Sequence, residues 1–186
     1  MRQPLCVVSS ALQTHNAQHT TFMLILGIDP GTRIIGYGVI QTEPKTKVIT
    51  YGVIKTKDAL PKGSKCDATT LSTRLLRSYQ QILKIIKEYQ PDQIVIETVF
   101  FSLDAQATIK IGEGRGIALL AAATTSTPVF EYSPAEIKKS VTGNGRADKV
   151  QVAEMVKNIL SLKEIPKPYD ASDALAIAIC HAHRIM

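Results

Sequence analysis

Leu24-Ile25-Leu26-Gly27-Ile28-Asp29-Pro30-Gly31 is an apolar run closed by a carboxylate and then by a Pro-Gly turn. A short apolar stretch bounded by a turn signal is the pattern of a strand that stops abruptly. The next two segments extend it into a meander. Residues 34–40 (IIGYGVI) and 48–56 (VITYGVIKT) are rich in β-branched and aromatic residues, so three strands open the fold. Residues 57–70 form a loop of Pro, Gly, Ser and Lys. Over 71–89, Leu71, Leu75, Ile82, Leu83, Ile85 and Ile86 recur at helical spacing among Arg, Lys and Gln. Pro91-Asp92 ends that helix before Ile94-Val95-Ile96-Glu97, a short buried strand.

The remaining chain alternates in the same manner. Residues 105–124 are helical and dense in Ala and Gly, side chains small enough to let another helix approach closely, within the fold or across a dimer. Residues 129–132 form a strand. Ser133, Pro134 and Glu136 occupy the N-cap, N1 and N3 positions of a helix start. Gly143-Asn144-Gly145 is a turn, 147–160 is helical, Pro166 and Pro168 mark a linker, and 170–185 is the closing helix. The order βββαβαβααα describes an α/β domain built on a mixed five-stranded sheet flanked by helices.

The 186 residues and 20.3 kDa suit one domain with a full core. Residues 23–186 carry that domain. Residues 1–22 hold a single Arg and no acid, with Met23 directly before the first strand; they read as an extension, either a disordered tail or a start assigned too early. Three cysteines without CxxC spacing argue against a disulfide framework or a zinc site and for a reducing compartment. No apolar run approaches ~18 residues, so a cytoplasmic protein is expected. The net charge is +6; with four of the 16 acids set aside, 22 basic against 12 acidic residues leave +10. A basic body around an acidic pocket suits a polyanion that is gripped broadly and cut locally.

Those four acids are Asp29 and Glu97, each ending an apolar strand, and Asp170 and Asp173, opening the last helix. Strand ends and helix starts converge on one edge of an α/β sheet. Two carboxylates 4 Å apart repel by ~4 kcal/mol at an effective dielectric of 20, so such a cluster calls for cations. Hydrolysis of a phosphodiester with two Mg²⁺ ions about 3.5–4 Å apart is the chemistry that uses it. Each acid also has a plainer role. Asp29 before Pro-Gly is a good Asx-turn residue. Glu97 is a candidate for an ion pair in the core. Asp170 and Asp173, three apart on one helix face, suit an N-cap and a helix-dipole partner.

Together, Gly27-Ile28-Asp29-Pro30-Gly31-Thr32, Ile96-Glu97-Thr98-Val99-Phe100 and Asp170-Ala171-Ser172-Asp173-Ala174-Leu175-Ala176 resemble the RuvC family of Holliday junction resolvases. The likeness runs from about Met23 to the C-terminus and includes Val129-Phe130-Glu131-Tyr132. It implies a ribonuclease-H-like fold, a homodimer, and symmetric nicking of four-way junction DNA dependent on Mg²⁺, with Mn²⁺ as an alternative. By position, Asp29, Glu97, Asp170 and Asp173 would be the metal-binding catalytic acids. Lys138 and Lys149 match basic positions near the scissile phosphate, and Phe100 matches an aromatic that wedges against an unstacked base. Arg115, in Gly112-Glu113-Gly114-Arg115-Gly116, is a candidate phosphate contact. Cooperation with the RuvA–RuvB branch-migration complex is also implied. The extension over 1–22 and a long loop carrying Lys62 and Lys65 depart from the family pattern. His181 and His183 are candidates for proton transfer only by their place on the last helix, where a core role is commoner.

Three other readings compete. An ATP-binding domain of the actin and sugar-kinase superfamily has a similar turn after a strand, but that fold needs two such domains and this chain is too short. The YqgF group of RuvC-like nucleases, linked to ribosomal RNA, tends to lack the paired Asp spacing. A junction-binding protein without catalysis is disfavoured by four intact acids.

Overall fold

A computed structural model describes residues 22–31, 34–55, 70–98 and 105–185. The elements follow the expected order: β1 (Leu24–Asp29), β2 (Ile34–Gln41), β3 (Lys47–Lys55), α1 (Leu71–Tyr89), β4 (Gln93–Glu97), α2 (Ala105–Thr124), β5 (Val129–Tyr132), α3 (Pro134–Thr142), α4 (Lys149–Ile159) and α5 (Tyr169–Ile185). The sheet order is β3-β2-β1-β4-β5. The first three strands pair antiparallel, whereas β1, β4 and β5 run parallel.

Helices cover both faces, as expected. On one face, α1 and α2 pack Ile82, Ile86, Ala118, Ala121 and Ala122 against Leu26, Ile28 and other inward residues of the strands. On the other, α3, α4 and α5 enclose Ile25, Ile40, Val95, Leu175 and Ile179. Helix α5 is buried around nearly its whole circumference, which is why its sequence is apolar on all sides.

Capping chemistry sets the helix boundaries. Ser133 accepts from the Glu136 N–H while the Glu136 carboxylate accepts from the Ser133 N–H, the capping box read from the sequence. The fourth helix begins at 149 rather than 147, because Asp148 is its cap and exchanges the same reciprocal bonds with Gln151. Thr70 caps α1.

Two glycines fix the distance between α5 and the sheet. A Cβ on Gly27 would stand 2.1 Å from the Ala174 carbonyl oxygen, and one on Gly36 would stand 1.9 Å from that of Asp170. No side chain fits at either place, so the helix backbone rests directly on β1 and β2.

Candidate metal-dependent nuclease site

Register brings the strand acids together. In the parallel β1–β4 pair, Ile28 lies opposite Ile96, so Asp29 and Glu97 follow as neighbours on adjacent strands. Adjacent strands are ~4.8 Å apart. Pro30 and Gly31 carry the chain away from Asp29, leaving its carboxyl at the sheet edge. The first turns of α5 lie over the same edge. Asp29 is directly opposite Gly36 on β2, and Gly36 is the residue that lets the Asp170 backbone approach. Asp170 lies within the first turn, after the start at Tyr169, so it is not the N-cap.

Asp29, Glu97 and Asp173 line one cleft of about 190 Å³ together with Lys138 and Lys149. The cleft is roomy enough for a phosphate group with its waters. Asp170 stands at its rim, near enough for its charge to act on Asp29, Asp173 and Lys149.

The electrostatics are those of a crowded set of anions. Burial, then the charges of Asp173, Glu97 and Asp170, push the Asp29 carboxyl up to about 7 against the weaker pull of Lys149. Glu97 is raised by burial and by Asp173, with Lys138 opposing. Asp173 is raised by burial and by Asp170, although Lys149 Nζ lies 3.0 Å from its Oδ2. That contact pairs the Lys149 ammonium directly with an acid, while Lys138 also lines the cleft. It leaves the demand unmet, because three acids stay elevated beside it.

The donor set is all carboxylate oxygen, the preference of Mg²⁺, and the raised acids mark a place where positive charge is stabilising. With Asp173 drawn onto Lys149, no three acids, histidines or cysteines among the described residues stand at metal-binding spacing. The residue types, all carboxylates, fit a divalent cation.

The structure separates the other candidates. The Arg115 guanidinium pairs with Glu131 on β5, so a phosphate contact there would compete with that ion pair. Phe100 and the lysine-bearing loop over 57–69 lie outside the described residues. His181 is far from the acids: it lies eight residues beyond Asp173, ~12 Å along α5. It is fully buried, with Nδ1 2.7 Å from the Tyr132 hydroxyl and Nε2 against Gln93 Oε1. Both nitrogens are occupied, and burial lowers its pKa, so it holds β4, β5 and α5 together rather than moving a proton at the cleft. His183 is likewise engaged, by Ser140 at 3.2 Å.

Sequence reasoning missed Gly27 and Gly36 as parts of the site. Glycines inside strand patterns were the available signal, since they mark close backbone approach.

Known proteins resemble this chain along most of its length. The family described as "Crossover junction endodeoxyribonuclease RuvC" matches residues 25–181. The protein of that description from Desulforamulus reducens is 51% identical over 161 residues, covering 86% of this chain and 93% of its own. The one from Desulfitobacterium hafniense (strain DSM 10664 / DCB-2) is 46% identical over 163 residues, covering 88% and 94%. Among solved structures, T. thermophilus RuvC in complex with Holliday junction substrate superposes with a TM-score of 0.77 at 33% identity, covering 88% of this chain and 94% of that one. The yeast mitochondrial Holliday junction resolvase shares the fold, with a TM-score of 0.60 at 18% identity over 86% of this chain and 78% of its own. A match across nearly all described elements, with the acids at strand ends and on α5, places this chain in the crossover junction endodeoxyribonuclease RuvC family.

Proposed function

We propose that this crossover junction endodeoxyribonuclease resolves four-way DNA junctions as a homodimer, each protomer hydrolysing one strand at the cleft of Asp29, Glu97, Asp170 and Asp173. One observation carries the reading: the β1–β4 register sets Asp29 beside Glu97 at the edge where α5 brings in Asp173. The four acids would hold Mg²⁺, two ions by the chemistry of the donor set, with Mn²⁺ as an alternative. When bound, the metal supplies an ionised water and neutralises charge on the departing oxygen.

The chain's own groups do the rest. The cleft has room for a phosphate between its acids and its lysines, so the DNA backbone would lie across its mouth. Lys138 and Lys149 border the cleft and would neutralise the phosphates entering it. Lys149 exchanges Asp173 for phosphate as the cleft fills, which frees that carboxylate. About half of the Lys149 side chain is exposed in that pair, so its ammonium is within reach of an entering phosphate. Phe100, three residues after Glu97, is the proposed stacking residue, worth ~1–3 kcal/mol per base.

A stripe on α2 supports the dimer. Ile109 and Leu120 are 61% and 54% exposed, and Gly112 and Gly116 lie between them at helical spacing with open space where a Cβ would be. An apolar stripe with small residues at its centre fits its two-fold copy. The resulting two-fold axis matches that of a four-way junction, so paired cuts leave nicks a ligase can seal. Cooperation with RuvA–RuvB and a cytoplasmic site of action belong to the same proposal. Among the described residues, no helix is long and apolar enough to cross a membrane.

Cleavage of four-way, linear duplex and single-stranded DNA, and of structured RNA, with Mg²⁺ and with EDTA, tests it. Paired nicks in the four-way substrate only, lost in EDTA, are expected. Equal cutting of linear duplex, or a preference for structured RNA, would overturn it.

A further inference from the structure

The edge strand β3 and the connection between α4 and α5 enclose a second basic groove, lined by Tyr51, Lys157, Lys163, Glu164 and Lys167. We infer that this groove binds the phosphate backbone of the duplex arm leading away from the cut, a role that rests on the junction-cutting reading above.

Charge is the first support. Three lysines face one glutamate, and none of the three is in an ion pair among the described residues. Three lysines against a single carboxylate leave the groove net positive, which favours a polyanion. Tyr51 is the second. It is a large aromatic, 38% exposed, lining the groove, and an aromatic ring there can stack on a sugar or base beside bound phosphates. The walls are also tied together: Lys45, in the turn between β2 and β3, donates to Ser161 Oγ at 3.2 Å, joining that turn to the end of α4.

Continuity with the cleft is the third. Helix α4 carries Lys149 at its start, on the acids, and Lys157 eight residues later, ~12 Å along the axis. Lys167 precedes Asp170 by three residues, which no chain extends beyond ~11 Å. At 3.4 Å per base pair along a strand, a backbone leaving the cleft reaches the groove about four nucleotides from the cut. The cleft lysines hold the phosphates beside the scissile bond, and the groove lysines hold the next stretch.

The test is the salt dependence of junction binding by the full chain in Ca²⁺ without Mg²⁺. Each phosphate contact adds ~0.9 to the slope of log K against log salt, so a Lys157→Ala, Lys163→Ala, Lys167→Ala protein should lose about 2 to 3 per protomer. The matching triple Lys→Arg protein should keep the wild-type slope, which separates lost charge from a damaged fold. Methylphosphonates placed three to five nucleotides from the cut should lower the wild-type slope and leave the triple-alanine slope unchanged. An unchanged slope in the triple-alanine protein overturns the inference. So does equal sensitivity of both proteins to the methylphosphonates, and so does binding of an acidic protein partner through the groove with no change in DNA binding. Cleavage by wild-type protein, run alongside, reports on the junction-cutting reading separately.

Discussion

Helices α2 and α5 look alike as sequences and end in opposite situations. Both are long, rich in alanine and apolar around most of their circumference. Helix α5 is enclosed by the sheet on one side and by α3 and α4 on the other, so its apolar residues are satisfied within the protomer. Helix α2 buries Ala118, Ala121 and Ala122 against α1 and the sheet but leaves Ile109 and Leu120 in solvent. All-round apolarity therefore has two meanings: a helix at the centre of a core, or a helix with a core on one side and an exposed apolar stripe on the other. Asp170 and Asp173 ride on the enclosed helix, whose position is fixed by packing. The stripe proposed for the dimer is on the other face of the sheet.

Substitutions can break this contrast, beginning with those of largest effect. Asp29→Asn, Glu97→Gln, Asp170→Asn or Asp173→Asn should each lower cleavage by more than about 100-fold, a loss already reached when a mere outer-shell partner of a metal is removed. Junction binding should survive in a gel-shift assay. Full cleavage by the Asp29→Asn protein would disconnect the enclosed face from the chemistry.

The same substitution should act on stability in the opposite direction. The folded state raises the Asp29 carboxyl from 3.8 to about 7, so the native protein binds more protons than the unfolded chain between those values. Stability of the metal-free protein must then fall as pH rises through that window, by up to ~4 kcal/mol from this group. Asp29→Asn should accordingly raise Tm in EDTA at pH 8 and should do so little at pH 4. No difference between the two pH values would remove the account of a carboxyl raised by burial and by its neighbouring acids.

Gly27→Ala is next. Its methyl would collide with the α5 backbone at Ala174, and a loss of ~3 kcal/mol in urea unfolding is expected, the upper part of the range for an overfilled core. On the other face, Leu120→Asp should leave monomer stability nearly intact but weaken the dimer by about 30-fold in sedimentation, the ~2 kcal/mol of one interface anchor. If Leu120→Asp instead unfolds the chain while Gly27→Ala is harmless, the roles of the two helices are reversed.

Much of this architecture was legible from local chemistry. Pro-Gly after Asp29, Pro91-Asp92 before β4 and the Ser133–Glu136 box announce their elements through bonds made within a few residues, so the sequence shows them directly. The strand acids were readable for a related reason, because a carboxylate closing an apolar run has few alternatives. Asp170 and Asp173 were less readable, since a helix start attracts acids for its own sake. Contacts between distant residues were not legible. Nothing near Arg115 announces Glu131 as its partner, and nothing near His181 announces Tyr132 and Gln93, which lie 49 and 88 residues away. Such pairings are decided by which elements become neighbours, and only the assembled sheet decides that.

The seam of Gly27 and Gly36 carries a consequence for inheritance. A metal site tolerates errors of only ~0.2 Å in the distances of its ligands, whereas one added methyl would lift α5 by several times that. The height of Asp170 and Asp173 above Asp29 is therefore written in two residues that have no side chain and touch no substrate. Under the proposed metal site, a lineage could keep all four acids and still lose activity by gaining a single carbon beneath them. Searches for inactive relatives should look under the helix as well as at the charges.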